Sequence, residues 1–151
     1  MKYLIALFMV FPVVCFSQAK DVAEFQKIMA EIRRSHIEGN VPSQEDFDAF
    51  LKRDLKIYFE SYGENISVKY RFLRDGPTQS GVSTPKYYVW VQVIEGGKAI
   101  QEGAARVSAV EKKKFDVLDF IAKSDVIKNP SCVEHVFPSA LLVTIRQLSG
   151  I

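Results

Sequence analysis

The segment Tyr87-Tyr88-Val89-Trp90-Val91-Gln92-Val93-Ile94 is apolar on both of its faces. Aromatic and β-branched residues in such density favour an extended strand. Successive side chains of a strand point to opposite sides of a sheet. This strand therefore lies centrally, or has its second face covered by another layer. Any fold for the chain has to supply that cover.

The neighbouring segments read as partners for it. Ile66, Val68, Tyr70 and Phe72 alternate with Ser67, Lys69 and Arg71, which is the period of a half-buried strand. A polar stretch from Arg74 to Lys86 follows, long for a connection between strands. Glu95-Gly96-Gly97-Lys98 is a hairpin turn, and Ala99 to Val110 returns as a strand in which Gly103 suggests a bulge or a bend. The charged turn Glu111-Lys112-Lys113-Lys114 leads into a fourth strand, Phe115 to Ile121.

Two helices are expected before the strands. Asp21 with Glu24 resembles a capping box, and Val22, Phe25, Ile28, Met29, Ile32 and Ile37 follow at helical spacing as far as Glu38. Gly39-Asn40 and then Pro42 stop that helix. Ser43 caps a second, in which Phe47, Phe50, Leu51, Leu55, Tyr58 and Tyr62 form a stripe, widened by Ile57 and Phe59 and ended by Gly63. After the strands, Ser124 to Lys128 suits a helical turn, and Ala140 to Leu148 a last short helix with Gly150 as its stop.

The chain begins differently. Met1-Lys2 is a short basic start, Tyr3 to Phe16 is apolar, and Ser17-Gln18-Ala19 offers small residues at the positions a signal peptidase inspects. The run is shorter than a membrane span requires and carries Pro12. The expectation is a signal peptide over 1–19, a single domain over 20–151, export to the periplasm or the medium, and no transmembrane helix after cleavage. Removing the leader also removes Cys15, leaving Cys132 without an intramolecular partner; a small apolar core role suits it. The formal net charge is +2 for the whole chain and one unit lower without Lys2, a balance that does not point to nucleic acid.

The expected architecture is α+β: an N-terminal helical hairpin packed on a four-stranded antiparallel meander, with a short C-terminal helix. Phe25, Ile28, Ile32, Phe50, Leu51 and Tyr58 are expected to meet Val68, Tyr70, Val89, Val91 and Phe115 in the core. This order of elements resembles the cystatin-like and NTF2-like superfolds, in which helices lie across a curved antiparallel sheet. The resemblance implies a curled sheet with a pocket in the NTF2-like case, or loops presented to a protein in the cystatin-like case. Function does not follow from such folds alone.

Motifs that carry chemistry are few. No nucleophile elbow, zinc-protease pair, Cys-x-x-Cys or phosphate-binding glycine loop occurs. Cys132 and His135 are close in sequence, but a structural zinc needs four ligands. His36 suits the negative end of the first helix. Asp116 and Asp119, three apart on a strand, are expected on opposite faces. No catalytic set, metal site or cofactor is therefore assigned.

The candidate binding residues are Lys69 and Arg71 on the polar face of the first strand, Tyr88 and Trp90 on the central one, Arg74 in the long loop, and Arg106. Together they would suit an anionic or aromatic group. The competing expectation puts both aromatics under the C-terminal helix, since tryptophan is usually buried. The functional expectation is a non-enzymatic binding protein of the bacterial cell envelope, holding an unidentified protein or envelope ligand through this sheet face or the 74–86 loop. The alternatives are a pocket protein in the NTF2-like manner, binding a small apolar ligand or acting as an enzyme, and a structural subunit of an envelope assembly.

Overall fold

The structure is a computed structural model that describes residues 12–80 and 83–151, with side chains from residue 21 onward. The expected leader thus lies outside the described residues, except for the helical backbone of 12–19. Helix α1 runs from Pro12 to Asn40 and α2 from Gln44 to Phe59, followed by a 3₁₀ turn at Glu60–Tyr62. Four strands follow: β1 Ser67–Phe72, β2 Lys86–Glu95, β3 Lys98–Val110 and β4 Lys114–Ala122. The chain closes with α3 Lys123–Lys128, a 3₁₀ turn Pro130–Val133 and α4 Ser139–Ser149. The strands form one antiparallel sheet in the order β1-β2-β3-β4. The fold is α+β, as the sequence pattern requires. Among the described residues, no helix is long and apolar enough to cross a membrane.

The two-faced strand receives its two covers. On one face, Tyr87, Val89, Val91 and Val93 pack with Leu51, Leu55 and Phe59 of α2, and with Ala105, Val107, Ala109 and Phe115. On the other, Tyr88 and Trp90 pack with Val126, Val133, Phe137, Leu141 and Ile145 from the C-terminal segments. The helices therefore sandwich the sheet rather than share one side of it.

The first helix departs from expectation. It is longer than 21–38, and Phe25 is 63% exposed, with Val22 and Ile28 also at the surface. Among the described residues, α2 is the helix that covers this face of the sheet, so Phe25 and Ile28 are not core residues and Ile32 is only half-buried. Within α2 the line Leu51–Leu55–Phe59 is buried, one residue every turn, and this rotates Tyr58 outward to 42% exposure. The end of α1 is fastened to the β3–β4 turn: the Asn40 carbonyl accepts from Lys112 N–H, and its side chain accepts from Glu111 N–H. Both turn residues have positive φ, 51° and 58°, the left-handed pair of a tight hairpin.

Two extra residues adjust the sheet. Ile100 has no partner where β2–β3 pairing moves from Val93↔Gln101 to Ile94↔Ala99. Leu118 has none where β3–β4 pairing moves from Val107↔Val117 to Arg106↔Asp119. The second bulge corrects an expectation. Asp116 faces Ser108 and Asp119 faces Arg106, so the two aspartates share a face instead of lying on opposite ones. They still do not form a dyad, because Asp116 pairs with Lys114 and Asp119 with Arg106.

Candidate functional site

The sheet face under α4 is only partly covered. The α3–α4 segment lies over Tyr88, Trp90, Ala104 and Ile121. Toward β1 it stops, and an open groove of about 450 Å³ remains, lined by Lys69, Tyr70, Arg71, Trp90, Gln92, Glu102 and Leu148. The register explains the lining. Lys69 sits across from Gln92, and Gln92 across from Glu102. Arg71 sits across from Trp90.

The floor of the groove is polar and internally paired. Gln92 Nε2 donates to Glu102 Oε1 at 2.6 Å, and Lys123 Nζ lies 3.3 Å from Glu102 Oε2. Lys123 offsets the one carboxylate in the groove. Lys69 and Arg71 differ: both are exposed, and neither side chain has a hydrogen-bond or ion-pair partner among the described residues. Two unpaired cations therefore stand two residues apart along the rim, on the same side of β1.

Of the six residues expected at the site, the fold gathers Lys69, Arg71 and Trp90. Trp90 contributes only a sliver of surface, at 4% exposure. Tyr88 is buried beneath the C-terminal segments, where its ring lies 6.0 Å from that of Phe137 and its hydroxyl is 3.0 Å from Thr78 Oγ1. Arg106 is engaged elsewhere: its Nε donates to Asp119 at 2.6 Å. Arg74 is exposed in the turn that leaves β1. Gln92, Glu102 and Leu148 complete the groove without having been expected, because only the strand register and the α4 docking bring them there.

In comparisons with family models, with characterised proteins and with solved structures, nothing matches this chain. The groove must be judged on its own geometry.

The opposite face of β1 is anchored to α2. The Tyr70 hydroxyl donates to Asp48 Oδ1 at 2.9 Å, and Lys52 Nζ lies 2.7 Å from Asp48 Oδ2. The Lys52 and Tyr70 hydrogen bonds hold the Asp48 carboxyl below its usual range. Burial, then the Asp48 bond, raises the Tyr70 phenol. Farther along, Phe72 is 44% exposed and packs beside Phe47 and Tyr70. The edge strand therefore has a basic face and an aromatic face.

The long loop is tied down where it is described. Thr78 and Lys86 exchange backbone bonds of 2.8 Å, Thr84 pairs with Ser108, and Ala109 N–H donates to the Pro85 carbonyl. Its residues 81–82 lie outside the described set.

The space between α2 and the sheet is filled by fully buried Leu51, Leu55, Phe59, Val89, Val91 and Val93. The buried polar residues among those described are Ser108 and Ser149. No three His, Cys, Asp or Glu side chains converge as a metal-holding group among the described residues. Cys132 is half-buried in the 3₁₀ turn, and burial, then the nearby Asp125 charge, pushes its thiol up. A raised pKa leaves less thiolate near neutral pH. Alkylation of Cys132 is thus expected to run slower in the folded protein than in denaturant, by iodoacetamide kinetics; an equal or faster folded rate contradicts this.

Proposed function

We propose that this protein is an exported, non-enzymatic binding protein of the bacterial cell envelope, acting in the periplasm or outside the cell. Its working surface is the groove at β1, where it holds a protein or envelope ligand. The observation that carries this reading is the pair of unpaired cations, Lys69 and Arg71, on the rim of a groove with an already balanced floor. Two neighbouring like charges without counter-ions suit an anionic partner. The basic leader and apolar run at the N-terminus support export.

The test is affinity capture from the source organism's envelope fraction, comparing the native protein with a Lys69→Glu, Arg71→Glu double variant. Both residues are exposed, so the variant is expected to fold normally. Capture of one stoichiometric ligand by the native protein, and its loss by the variant, is the expected outcome. A ligand retained equally by both places the binding surface elsewhere.

One observation favours a second reading, a subunit of an envelope assembly. Val22, Phe25 and Ile28 form an exposed apolar stripe on α1. On this reading, light scattering of the purified protein gives a discrete oligomer, and Phe25→Glu shifts it to monomer. A native protein that is monomeric at every concentration and recruits no subunit from envelope extracts removes this reading.

A further inference from the structure

The hydrogen bonding of β1 points to what its ligand is. Leu73 N–H donates to the Tyr88 carbonyl at 2.9 Å, continuing the β1–β2 register. Bonded pairs alternate in an antiparallel ladder. The backbone groups of Lys69 and Arg71 therefore face β2, and those of Val68, Tyr70 and Phe72 face outward. No hydrogen bond reaches these outward groups among the described residues. The edge is a row of unpaired donors and acceptors beside a groove.

We propose that β1 accepts a fifth, antiparallel strand: an extended segment of a partner protein in which acidic and apolar residues alternate. The proposal rests on the binding function argued above and names the chemistry of the partner. Main-chain bonds to Val68, Tyr70 and Phe72 supply the pairing, as in other strand-addition complexes. Residues directly opposite each other on paired strands share a face. Acidic side chains of the incoming strand then stand opposite Lys69 and Arg71. Its apolar side chains fall opposite Val68, Tyr70 and the exposed Phe72, on the aromatic face.

Charge argues against a second copy of this chain as the occupant. Antiparallel self-pairing about Tyr70 would set Lys69 of each copy against Arg71 of the other. Directly opposed like charges destabilise a strand pair. Basic residues on an edge strand discourage such self-association, and the same residues favour an acidic guest.

The probe is a blocked peptide of alternating valine and glutamate, matched in length to β1, titrated into the protein by calorimetry. Its controls carry lysine for glutamate, or N-methyl groups on the valine amides that would bond to β1. The native protein is expected to bind the glutamate peptide and neither control. Lys69→Glu with Arg71→Glu should weaken binding of the glutamate peptide by roughly tenfold or more, and favour the lysine peptide.

Equal binding of the N-methylated peptide would overturn strand addition, leaving simple charge attraction. No binding of the glutamate peptide to the native protein would overturn it also. If envelope capture still depends on Lys69 and Arg71 in that case, the binding function stands and only the strand-addition partner fails. If capture is indifferent to both residues, the function itself fails.

Discussion

Phe59→Ala is expected to destabilise the fold by about 3–5 kcal/mol, the range for removing a large aromatic side chain from a well-packed core. Phe59 is fully buried at the last turn of α2. Its ring meets Tyr58 at 4.9 Å, Tyr62 at 5.4 Å and Phe120 at 4.8 Å. Tyr62 and Phe120 belong to different elements, so the ring joins the helix end to β4. Truncation leaves a cavity that the backbone of β3 and β4 is too constrained to close. Urea denaturation measures the effect, with Ile57→Ala as the comparison. Ile57 is one of the helix's exposed apolar residues, at 58%, and its loss should cost under about 1 kcal/mol. Equal effects at the two positions would mean that α2 does not present the 51–55–59 line to the sheet.

Gly103→Val is expected to cost about 3 kcal/mol or more, at the upper end of overpacking effects, and to disturb the β3–β4 ladder. A Cβ at Gly103 would overlap the Ile121 carbonyl oxygen and come within 2.7 Å of the Phe120 ring. A side-chain neighbour gives way cheaply by changing rotamer. A carbonyl in a paired strand does not, because it moves only with its peptide unit. Gly39→Ala is the opposite case, since nothing lies within 4 Å of a Cβ there and alanine suits a helix better. It should be neutral or slightly stabilising in the same denaturation experiment. If Gly103→Val is as stable as the native protein, the close approach of β4 to β3 at this point is wrong.

Gly103 also shows how a correct sequence signal carries an incomplete message. A glycine inside a strand pattern marks a bulge or a close approach. Here it is the close approach, and the bulges sit at Ile100 and Leu118, which no residue type flags. The Leu118 bulge alone moves Asp119 to the face of Asp116. Alternation correctly sorted Lys69 and Arg71 to one side of β1 because strand periodicity is local. Helical periodicity in α1 was equally clear, yet a stripe states only that a face is apolar. It does not say what covers it, and Phe25 and Ile28 meet no sheet. In α2 the broad stripe left the inward line open, and docking chose Leu55 and Phe59 over Tyr58. Gln92, Glu102 and Leu148 join the groove through long-range register and helix docking, which no short window of sequence contains. Trp90 met both expectations in part, lying under the C-terminal segments while its edge borders the groove.

The groove and the pairing of a guest strand both depend on an open edge at β1. Residue-resolved amide hydrogen exchange along 67–73 tests that most directly. Slow exchange at Lys69, Arg71 and Leu73, alternating with fast exchange at Val68, Tyr70 and Phe72, is the expected result. Uniform protection of all six amides in the isolated protein would mean that the edge is already covered, and would contradict β1 as the binding surface.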